Sequence, residues 1–257
     1  MGAPFTTLFW NVWSESQRTE TKRSKLFASL DSIITTYKPD ALGLNEVLAD
    51  RKTGESALLK FLESRGYTTF FAPFSPDKNT YTVGSALAYK AKKVHITTHE
   101  LGPDTFAALR GYPGHTVKLI RARVPHEGKQ LQIIVNYLAH LSPYNWSTHL
   151  KHHRAFRSFA KDPELQSSTI IGGDFNQFRF MPTLWGAKRH YHRKTGGFFN
   201  PTWRFLGRIP FIQANYDNIF WTKCGNLELE HFKVLDRHPS DHAPLVARFH
   251  LNGTPAE

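Results

Sequence analysis

A strand–helix–strand pattern near the N-terminus limits the fold more than any other feature of this sequence. Residues 5–13 are apolar and rich in β-forming side chains, and they predict a buried strand that ends at Asn11. Residues 19–37 carry apolar side chains at helical spacing, and Pro39 ends that helix because the residue before a proline avoids helical backbone angles. Residues 41–44 then predict a second buried strand. A single helical crossover makes the two strands parallel, so the pattern indicates an α/β fold.

The rest of the chain alternates apolar runs with turn residues, which predicts two more helices and a series of strands. The predicted helices cover residues 55–65 and 146–160, and the predicted strands cover residues 67–74, 83–90, 94–101, 115–124, 131–140, 169–171, 216–222, 227–235 and 245–251. Residues 179–214 mix aromatic and cationic side chains with Gly and Pro, and they give no regular prediction. Because no repeat or linker interrupts the pattern, residues 1–257 are expected to form a single domain.

The balance of charge is the most informative part of the composition. The chain has 33 Lys and Arg against 21 Asp and Glu, a net charge of +12. A protein this basic repels itself, and binding to a polyanion is the usual reason for such a charge. Nucleic acid is therefore the expected partner. An anionic membrane surface, a phosphorylated small molecule and a basic protein with no anionic partner are the alternatives.

The single cysteine and the lack of long apolar runs exclude several classes of protein. Cys224 alone cannot form an internal disulfide or a metal site made only of cysteines. No apolar run reaches the ~20 residues of a membrane span, and the N-terminus lacks a secretory signal pattern. The expectation is a cytoplasmic, monomeric protein with no stable membrane insertion, although the sequence leaves secretion open.

Oxygen-bearing side chains follow the predicted strands in positions that suit a metal site. Asn11 and Glu46 come at the ends of the two parallel strands, which places them at one edge of the sheet. Asp241 lies in a polar turn before the last strand. Oxygen donors of this kind suit Mg²⁺ or Mn²⁺ and argue against a zinc site built on thiolates.

A histidine beside these donors is the candidate base. His242 directly follows Asp241, and it lacks the second and third nearby histidines of a catalytic zinc site, which favours a base over a metal ligand. A histidine base works best when a carboxylate holds one ring nitrogen. Asp217 heads an apolar strand, where an unpaired carboxylate would be costly, and it is the expected partner of His242. A turn cap is the alternative role for Asp217.

Six short motifs in order give the chain a resemblance to a known superfamily. They are Trp10-Asn11, Asn45-Glu46, Tyr137-Leu138-Ala139-His140-Leu141, Gly173-Asp174-Phe175-Asn176, Asp217-Asn218-Ile219 and Ser240-Asp241-His242. In this order and spacing they resemble the DNase I-like endonuclease/exonuclease/phosphatase superfamily. The resemblance implies a four-layer α/β sandwich, in which two packed mixed β-sheets are flanked by helices. It also implies hydrolysis of phosphoesters with Mg²⁺ or Mn²⁺ as the cofactor.

The resemblance further implies roles for individual residues at the metal and the base. Glu46 resembles the principal metal-binding carboxylate of the superfamily, with Asn11 and Asp241 assisting it. His242 resembles the general base, and Asp217 resembles the carboxylate that pairs with it.

Three other residues resemble the groups that handle the phosphate. Asp174 and Asn176 resemble the pair that orients the water and holds a phosphate oxygen. His140 resembles the histidine that contacts the scissile phosphate or protonates the leaving group. Two positions depart from the usual pattern, because Asn45 stands where Gln is usual and Asn218 stands where Tyr is commoner.

The substrate is predicted from charge, because the superfamily uses one kind of site on many phosphoesters. The section between Asn176 and Asp217 has two interpretations. Its aromatic and cationic side chains could stack on the bases and contact the phosphates of a nucleic-acid strand, or its aromatic side chains could be buried beneath a long loop. Its candidate nucleic-acid contacts are Lys188, Arg189, Arg193, Lys194, Trp203 and Arg204. The prediction is a nuclease that cleaves DNA or RNA. A sphingomyelinase-like or inositol-phosphatase-like phosphoesterase and a non-catalytic nucleic-acid-binding module are the alternatives.

Overall fold

The fold is that of a computed structural model, which describes residues 3–76, 81–103, 116–138, 146–176, 190–196, 201–204, 213–223, 226–236 and 239–252. Its helices and strands in chain order are β1 (Phe5–Asn11), α1 (Glu20–Tyr37), β2 (Ala41–Asp50), α2 (Ala57–Ser64), β3 (Thr68–Pro76), β4 (Tyr81–Tyr89), β5 (His95–Pro103), β6 (Thr116–His126), β7 (Lys129–Tyr137), α3 (Trp146–Phe159), β8 (Thr169–Asp174), β9 (Tyr191–Thr195), β10 (Trp203–Arg204), β11 (Gln213–Ala214), β12 (Asp217–Thr222), β13 (Leu227–Val234) and β14 (Leu245–Leu251). Two 3₁₀ turns cover Ser14–Gln17 and Pro163–Gln166.

The strands of the described residues form two six-stranded sheets and a short two-stranded ribbon. The first sheet has the order β13-β14-β1-β2-β4-β3, and the second has the order β5-β6-β7-β8-β12-β9. Each sheet is mixed. The parallel pair is β1 with β2 in the first sheet and β7 with β8 in the second, and all other pairs are antiparallel. The predicted parallel pairing of the first two strands is confirmed.

Three apolar clusters separate the layers of the fold. The largest lies between the sheets and contains Phe9 and Leu245 from the first sheet with Ile133 and Ile219 from the second. In the second cluster, α1 and α2 cover the outer face of the first sheet. In the third, α3 covers the outer face of the second sheet. This is the four-layer α/β sandwich that the superfamily resemblance implied.

Helix α1 shows how local sequence fixes the first crossover. Thr19 caps its N-terminus by accepting a hydrogen bond from the backbone N–H of Lys22. The side chains that it buries against the sheet are Leu26, Leu30, Ile33 and Ile34. Lys38 ends the helix with left-handed backbone angles just before Pro39, and β2 then runs back beside β1.

Some strand bounds differ from the prediction close to the candidate site. β2 continues to Asp50 rather than ending at residue 44, because a bulge after Leu44 lets it keep pairing with β4. β8 continues to Asp174 rather than ending at residue 171. Within residues 179–214, which gave no regular prediction, the structure describes β9, β10 and β11. Among the helices that the structure describes, none is long and apolar enough to cross a membrane.

Candidate active site

Glu46 is delivered to the site by the bulge of β2. It has a left-handed φ of 56°, and the pairing of β2 with β4 shifts between Leu44 and Val47. A bulge re-aims a side chain that a regular strand would hold in strict alternation. The Glu46 carboxylate accepts hydrogen bonds from the Asn11 side-chain amide at 3.0 Å and from the Ser14 backbone N–H at 3.2 Å. Glu46 is only half-buried, so its carboxylate can meet a ligand that arrives from solvent.

Asn11 links carboxylates that belong to the two different sheets. Its side-chain nitrogen donates to Glu46 Oε1 at 3.0 Å and to Asp174 Oδ2 at 2.9 Å. Its side-chain oxygen accepts a hydrogen bond from the backbone N–H of Trp13. The sequence predicted that Asn11 would assist a metal with this oxygen. In the structure the oxygen faces the Trp13 backbone, and Asn11 holds the two carboxylates together.

Asp174 ends β8 and is buried against the first sheet. Its backbone N–H donates to the side-chain oxygen of Asn45 at 3.1 Å, and the Asn45 amide donates to Ser85 Oγ at 2.7 Å. Asn45 and Ser85 belong to β2 and β4, so these bonds join the second sheet to the first. The shorter amide at position 45 therefore serves as a bridge between the sheets.

The sheets approach this closely because Gly172 and Gly173 precede Asp174. A Cβ on Gly172 would collide with the ring of Phe9 in the first sheet. A Cβ on Gly173 would collide with the side-chain oxygen of Asn45 in the first sheet, as well as with the carbonyl oxygen of Asn136 on the neighbouring strand β7. Gly173 also has a φ of 131°, which residues with side chains rarely adopt. The Gly-Gly-Asp sequence thus brings the Asp174 carboxylate to the interface between the sheets.

Asn176 holds the chain just beyond Asp174. Its backbone N–H donates to Asp174 Oδ1 at 2.7 Å, and its side-chain amide donates to the carbonyl oxygen of Leu138 at 2.8 Å. Asn176 has a left-handed φ of 46°, which asparagine tolerates better than most residues. The two oxygens of Asp174 are therefore fixed separately, one by Asn176 and the other by Asn11.

His242 and Asp217 form a buried pair across the two sheets. His242 precedes β14 of the first sheet, and Asp217 begins β12 of the second. His242 Nδ1 lies 2.8 Å from Asp217 Oδ2. The Trp10 indole N–H donates to the carbonyl oxygen of His242 at 2.9 Å, and the backbone N–H of Asp217 donates to the Thr202 hydroxyl at 3.0 Å. The structure thus brings together the predicted base and its predicted carboxylate, and anchors each through its backbone.

The other ring nitrogen of His242 faces two further carboxylates. Nε2 lies 3.8 Å from Asp174 Oδ2 and 4.0 Å from Asp241 Oδ1. Asp241 accepts a hydrogen bond from the Trp203 indole N–H at 3.1 Å, and the Trp203 ring packs on Tyr216 with centroids 4.8 Å apart. Of the predicted nucleic-acid contacts, Trp203 therefore lies at the site itself.

Burial and crowding shift the acidity of this cluster. Burial raises the pKa of Asp174 to about 7; His242 opposes this rise, and the Asp217 carboxylate adds to it. Burial alone would lower the pKa of His242, but the carboxylates of Asp217, Asp174 and Asp241 raise it well above its usual value. The cluster therefore retains protons near neutral pH.

The buried members of this cluster could also hold a metal ion. Asp174, Asp217 and His242 each offer one ligand atom, and these atoms all lie within 4.8 Å of one another. The predicted metal carboxylate Glu46 adjoins this group through the Asn11 bridge.

Buried oxygens support the presence of a cation at this place. Asp217 Oδ1 and Asp241 Oδ1 are buried, and neither has a hydrogen-bond partner among the residues that the structure describes. An unpaired buried carboxylate oxygen is costly, and a divalent cation with oxygen ligands removes that cost. A cation beside these carboxylates would also favour the neutral form of His242, because it would cancel the charges that raise the pKa of the imidazole. The residues therefore fit a bound metal ion.

Several predicted residues lie wholly or partly outside the described residues. These are His140, Lys188 and Arg189, together with the side chain of Arg204, whose backbone forms part of β10. Their predicted roles stay predictions.

The two predicted nucleic-acid contacts on β9 differ in their surroundings. Arg193 Nε donates to Asn218 Oδ1 at 2.7 Å, and its guanidinium lies 5.8 Å from the centre of the Phe220 ring. Asn218, the second departure from the superfamily pattern, thus holds an arginine on the sheet. Lys194 is exposed and lines a cavity between β9 and β13, together with Trp221.

Sequence reasoning missed three residues that shape the site. Thr202 accepts the backbone N–H of Asp217, Ser85 supports Asn45, and Trp13 supplies the N–H that orients Asn11. Thr202 and Ser85 lie in stretches with no recognisable motif. For Trp13, the signal that could have indicated its role was its position two residues after the Trp10-Asn11 motif.

Comparison with known proteins places this geometry in a family. Residues 8–242 match the model of the Endonuclease/Exonuclease/phosphatase family. The chain has no significant match among curated protein sequences. Among solved structures, an endonuclease/exonuclease/phosphatase from Beutenbergia cavernae DSM 12333 is similar with a TM-score of 0.74 and 17% identity, over 97% of this chain and 72% of that one.

Two other solved structures are similar over nearly their whole length. The human Nocturnin catalytic domain with bound sulfate has a TM-score of 0.67 and 18% identity, over 98% of this chain and 97% of that one. D. rerio TDP2 complexed with single strand DNA product has a TM-score of 0.68 and 17% identity, over 96% of this chain and 99% of that one. At these identities the likeness concerns the fold, whereas the family model covers most of the sequence. The chain therefore belongs to the endonuclease/exonuclease/phosphatase family, and it is a phosphoesterase of that family.

Proposed function

We propose that the protein is a metal-dependent nuclease that cleaves phosphodiester bonds in DNA or RNA. The observation that carries the proposal is the buried Asp217–His242 pair. His242 Nδ1 contacts Asp217, and the other ring nitrogen, Nε2, lies 3.8 Å from Asp174 Oδ2. The net charge of +12 favours a polyanionic substrate over a small phosphoester. A neighbour of the same fold, D. rerio TDP2, was solved with a single-strand DNA product, which is consistent with this substrate class.

His242 is the proposed general base. When Nδ1–H is donated to Asp217, the tautomer leaves a lone pair on Nε2, which can accept a proton from water. The water then attacks phosphorus in line with the departing oxygen, and the Asp217 carboxylate stabilises the imidazolium that forms. Asp174 and Asn176 are the proposed groups that orient the water and hold a phosphate oxygen, and His140 is the proposed partner of the leaving group.

Glu46 and Asp241 are the proposed carboxylates for Mg²⁺ or Mn²⁺, with Asn11 holding Glu46 in place. Asp241 has a buried oxygen without a partner in the described part of the chain, and Glu46 is accessible from solvent. Bound there, such an ion supplies positive charge that neutralises the phosphate and the developing oxyanion. The role of the protein is to hold these oxygens at one edge of the two sheets.

The proposal is tested by cleavage assays on end-labelled oligonucleotides, duplex and single-stranded, DNA and RNA, alongside bis(p-nitrophenyl) phosphate and sphingomyelin. Cleavage of nucleic acid is expected in Mg²⁺ or Mn²⁺ and is expected to stop in EDTA. The rate at sub-saturating substrate should fall steeply between roughly 50 and 200 mM salt, because bound counterions are released when a nucleic acid binds. If nucleic acid is not cleaved while a small or lipid phosphoester is turned over, the nuclease proposal is wrong.

A further inference from the structure

Two pairs of aromatic and cationic side chains, which extend from the segment around Glu46 along β2 and β4, take no part in the chemistry proposed above. The ammonium of Lys22 lies 5.7 Å from the centre of the Trp13 ring, and the guanidinium of Arg18 lies 5.9 Å from the centre of the Tyr81 ring. Lys22 is exposed, and the other three residues are half-buried. We call Trp13, Arg18, Lys22 and Tyr81 the aromatic rim.

The aromatic rim is tied directly to the candidate metal site. The backbone N–H of Trp13 donates to Asn11, and the next N–H, that of Ser14, donates to Glu46 Oε2. Gln17, which precedes Arg18, donates from its side chain to the carbonyl oxygen of Glu46 at 2.8 Å. The segment that carries Trp13 and Arg18 is therefore folded around the bulge that presents Glu46.

Trp13 has unfavourable backbone angles at this position. Its φ is 54° and its ψ is 109°, and a bulky residue with positive φ is rare. Such strain persists only where surrounding contacts enforce it, and it is concentrated at functional sites. Trp10, three residues earlier, is completely buried in the core, whereas Trp13 is only half-buried. Trp13 therefore stays partly accessible in a segment whose backbone bonds to Asn11 and Glu46.

Tyr81 extends the aromatic rim away from Glu46. It lies on β4 and pairs with Asp50 of β2, which is four residues beyond Glu46. At the rise of a strand, four residues span roughly 13 Å. A cavity of about 360 Å³ opens here, and its lining includes Arg23 and Tyr81 together with the carboxylates of Asp50 and Glu55. This volume is within the range of small-molecule sites.

We infer that the aromatic rim binds an unpaired nucleotide next to the scissile phosphodiester, so that single-stranded nucleic acid is the substrate class. The inference rests on the proposed nuclease function. Trp13 and Tyr81 offer rings on which exposed bases stack, and Lys22 offers a charge to the adjoining phosphate. Arg18 is already paired with Glu15 at 2.7 Å, and its contact with Tyr81 holds that ring in place. Bases inside a duplex stack on one another and cannot offer their faces to the rim.

Substitution of Trp13 tests the stacking directly. In Mg²⁺, KM and kcat are measured for one oligonucleotide sequence, single-stranded and as a duplex, with the wild type, Trp13→Ala, Trp13→Phe and Tyr81→Ala. Trp13→Ala is expected to raise KM for the single strand by about 5- to 100-fold, the effect typical of losing one base–aromatic stack, with a smaller change in kcat. The preference for the single strand over the duplex should fall in parallel. Trp13→Phe should restore most of the affinity because it keeps a ring.

Lys22 has a matched control on the same helix. Lys22→Ala should reduce the slope of log KM against log salt by about 0.7, the value for one phosphate contact to a single strand, and the exposed Lys25 changed to Ala should leave the slope unchanged. If the wild type cleaves nucleic acid but Trp13→Ala and Tyr81→Ala keep KM within twofold of wild type for single strands, the inference is wrong. A wild type that cleaves no nucleic acid would refute the nuclease proposal instead, without recourse to any variant.

Discussion

The two parallel crossovers of the molecule, β1–α1–β2 and β7–α3–β8, share one connectivity but bury different side chains beneath their helices. Helix α1 turns aliphatic side chains towards its sheet: Leu26, Leu30, Ile33 and Ile34. Helix α3 buries three histidines: His149, His152 and His153. The rings of His149 and His153 lie 4.3 Å apart, and His152 Nε2 lies 3.1 Å from the carbonyl oxygen of Pro103. The first crossover thus depends on apolar burial, while the second also depends on the charge state of imidazoles.

The carboxylates that the two crossovers deliver differ in a related way. The bulge of β2 presents Glu46, which is half-buried, whereas β8 ends at Asp174, which is 1% exposed. The accessible carboxylate suits a ligand that must be exchanged. The buried carboxylate suits a group whose acidity the protein controls, and burial does raise the pKa of Asp174 to about 7. We therefore expect substitutions of Glu46, Asp174 and the neighbouring His242 to affect chemistry, and substitutions at tightly packed positions outside this cluster to affect stability.

The largest effect is expected from His242, the imidazole that faces Asp174 across the site. His242→Ala removes the proposed base, and loss of a general base usually lowers the rate by ~10²- to 10⁴-fold, about 3–5 kcal/mol of barrier. The measurement is kcat on a phosphodiester in Mg²⁺, with folding checked by circular dichroism. His231→Ala, at an exposed position on β13, is the control and should keep wild-type activity. A variant of His242 that kept more than about a tenth of the rate would exclude the assigned role.

The next effect concerns the tight packing around Gly173 in β8. Gly173→Ala should lower the free energy of unfolding by about 1–3 kcal/mol from overpacking against Asn136 of the neighbouring strand β7 and Asn45 of the first sheet, in addition to the cost of its positive φ. Gly128→Ala is the matched control, because Gly128 also has a positive φ of 76° but has open space around its Cβ position. Urea denaturation of both variants separates the steric effect from the backbone effect. Equal losses at the two positions would show that Asn136 and Asn45 do not crowd Gly173.

A smaller effect, dependent on pH, is expected from the histidines of α3. Burial, followed by the neighbouring rings of His149 and His152, lowers the pKa of His153 well below its usual value. Below about pH 6.5 the unfolded chain therefore binds a proton at this position that the folded protein does not bind, and stability falls as the pH falls. The limiting slope for one such group is about 1.4 kcal/mol per pH unit.

The test compares wild type with His153→Phe, a ring of similar shape that does not titrate. The free energy of unfolding should fall less steeply below pH 6.5 in the variant, while the two proteins keep a constant difference at higher pH. Asp174 and His242 titrate in both proteins, so their contributions cancel in the difference. Parallel curves for wild type and His153→Phe would mean that His153 is not held in its neutral form.

The first crossover could be predicted from the sequence because its physical signals are local. The apolar spacing of α1, the proline after it and the short strand that follows are each sufficient to define an element. The parallel register that places Asn11 beside Asn45 follows from the connection alone. The pairing of Asp217 with His242 was a prediction from chemistry, because a carboxylate at the head of an apolar strand needs a partner.

The rest depended on contacts between distant segments, which no local pattern reveals. The bulge at Glu46 arises from pairing with β4, and the positive φ of Trp13 arises from bonds to Asn11 and its neighbours. Residues 146–160 were predicted as a helix, but no local pattern indicated that His149, His152 and His153 would be buried together beneath it. Such features follow from the packing of the two sheets. The family resemblance implied that two sheets pack together, whereas the spacing of residues did not.

We propose that the carboxylates joined across the two sheets form the metal-dependent centre of this phosphoesterase. The most direct measurement is the rate of phosphodiester cleavage as a function of Mg²⁺ concentration for the wild type, Glu46→Gln and the exposed control Glu63→Gln. The Glu46 variant should lose rate and should need at least about tenfold more Mg²⁺ for half-saturation, as expected when a group at a metal site is removed. The Glu63 variant should match the wild type. A Glu46→Gln curve that superimposes on that of the wild type would contradict the account.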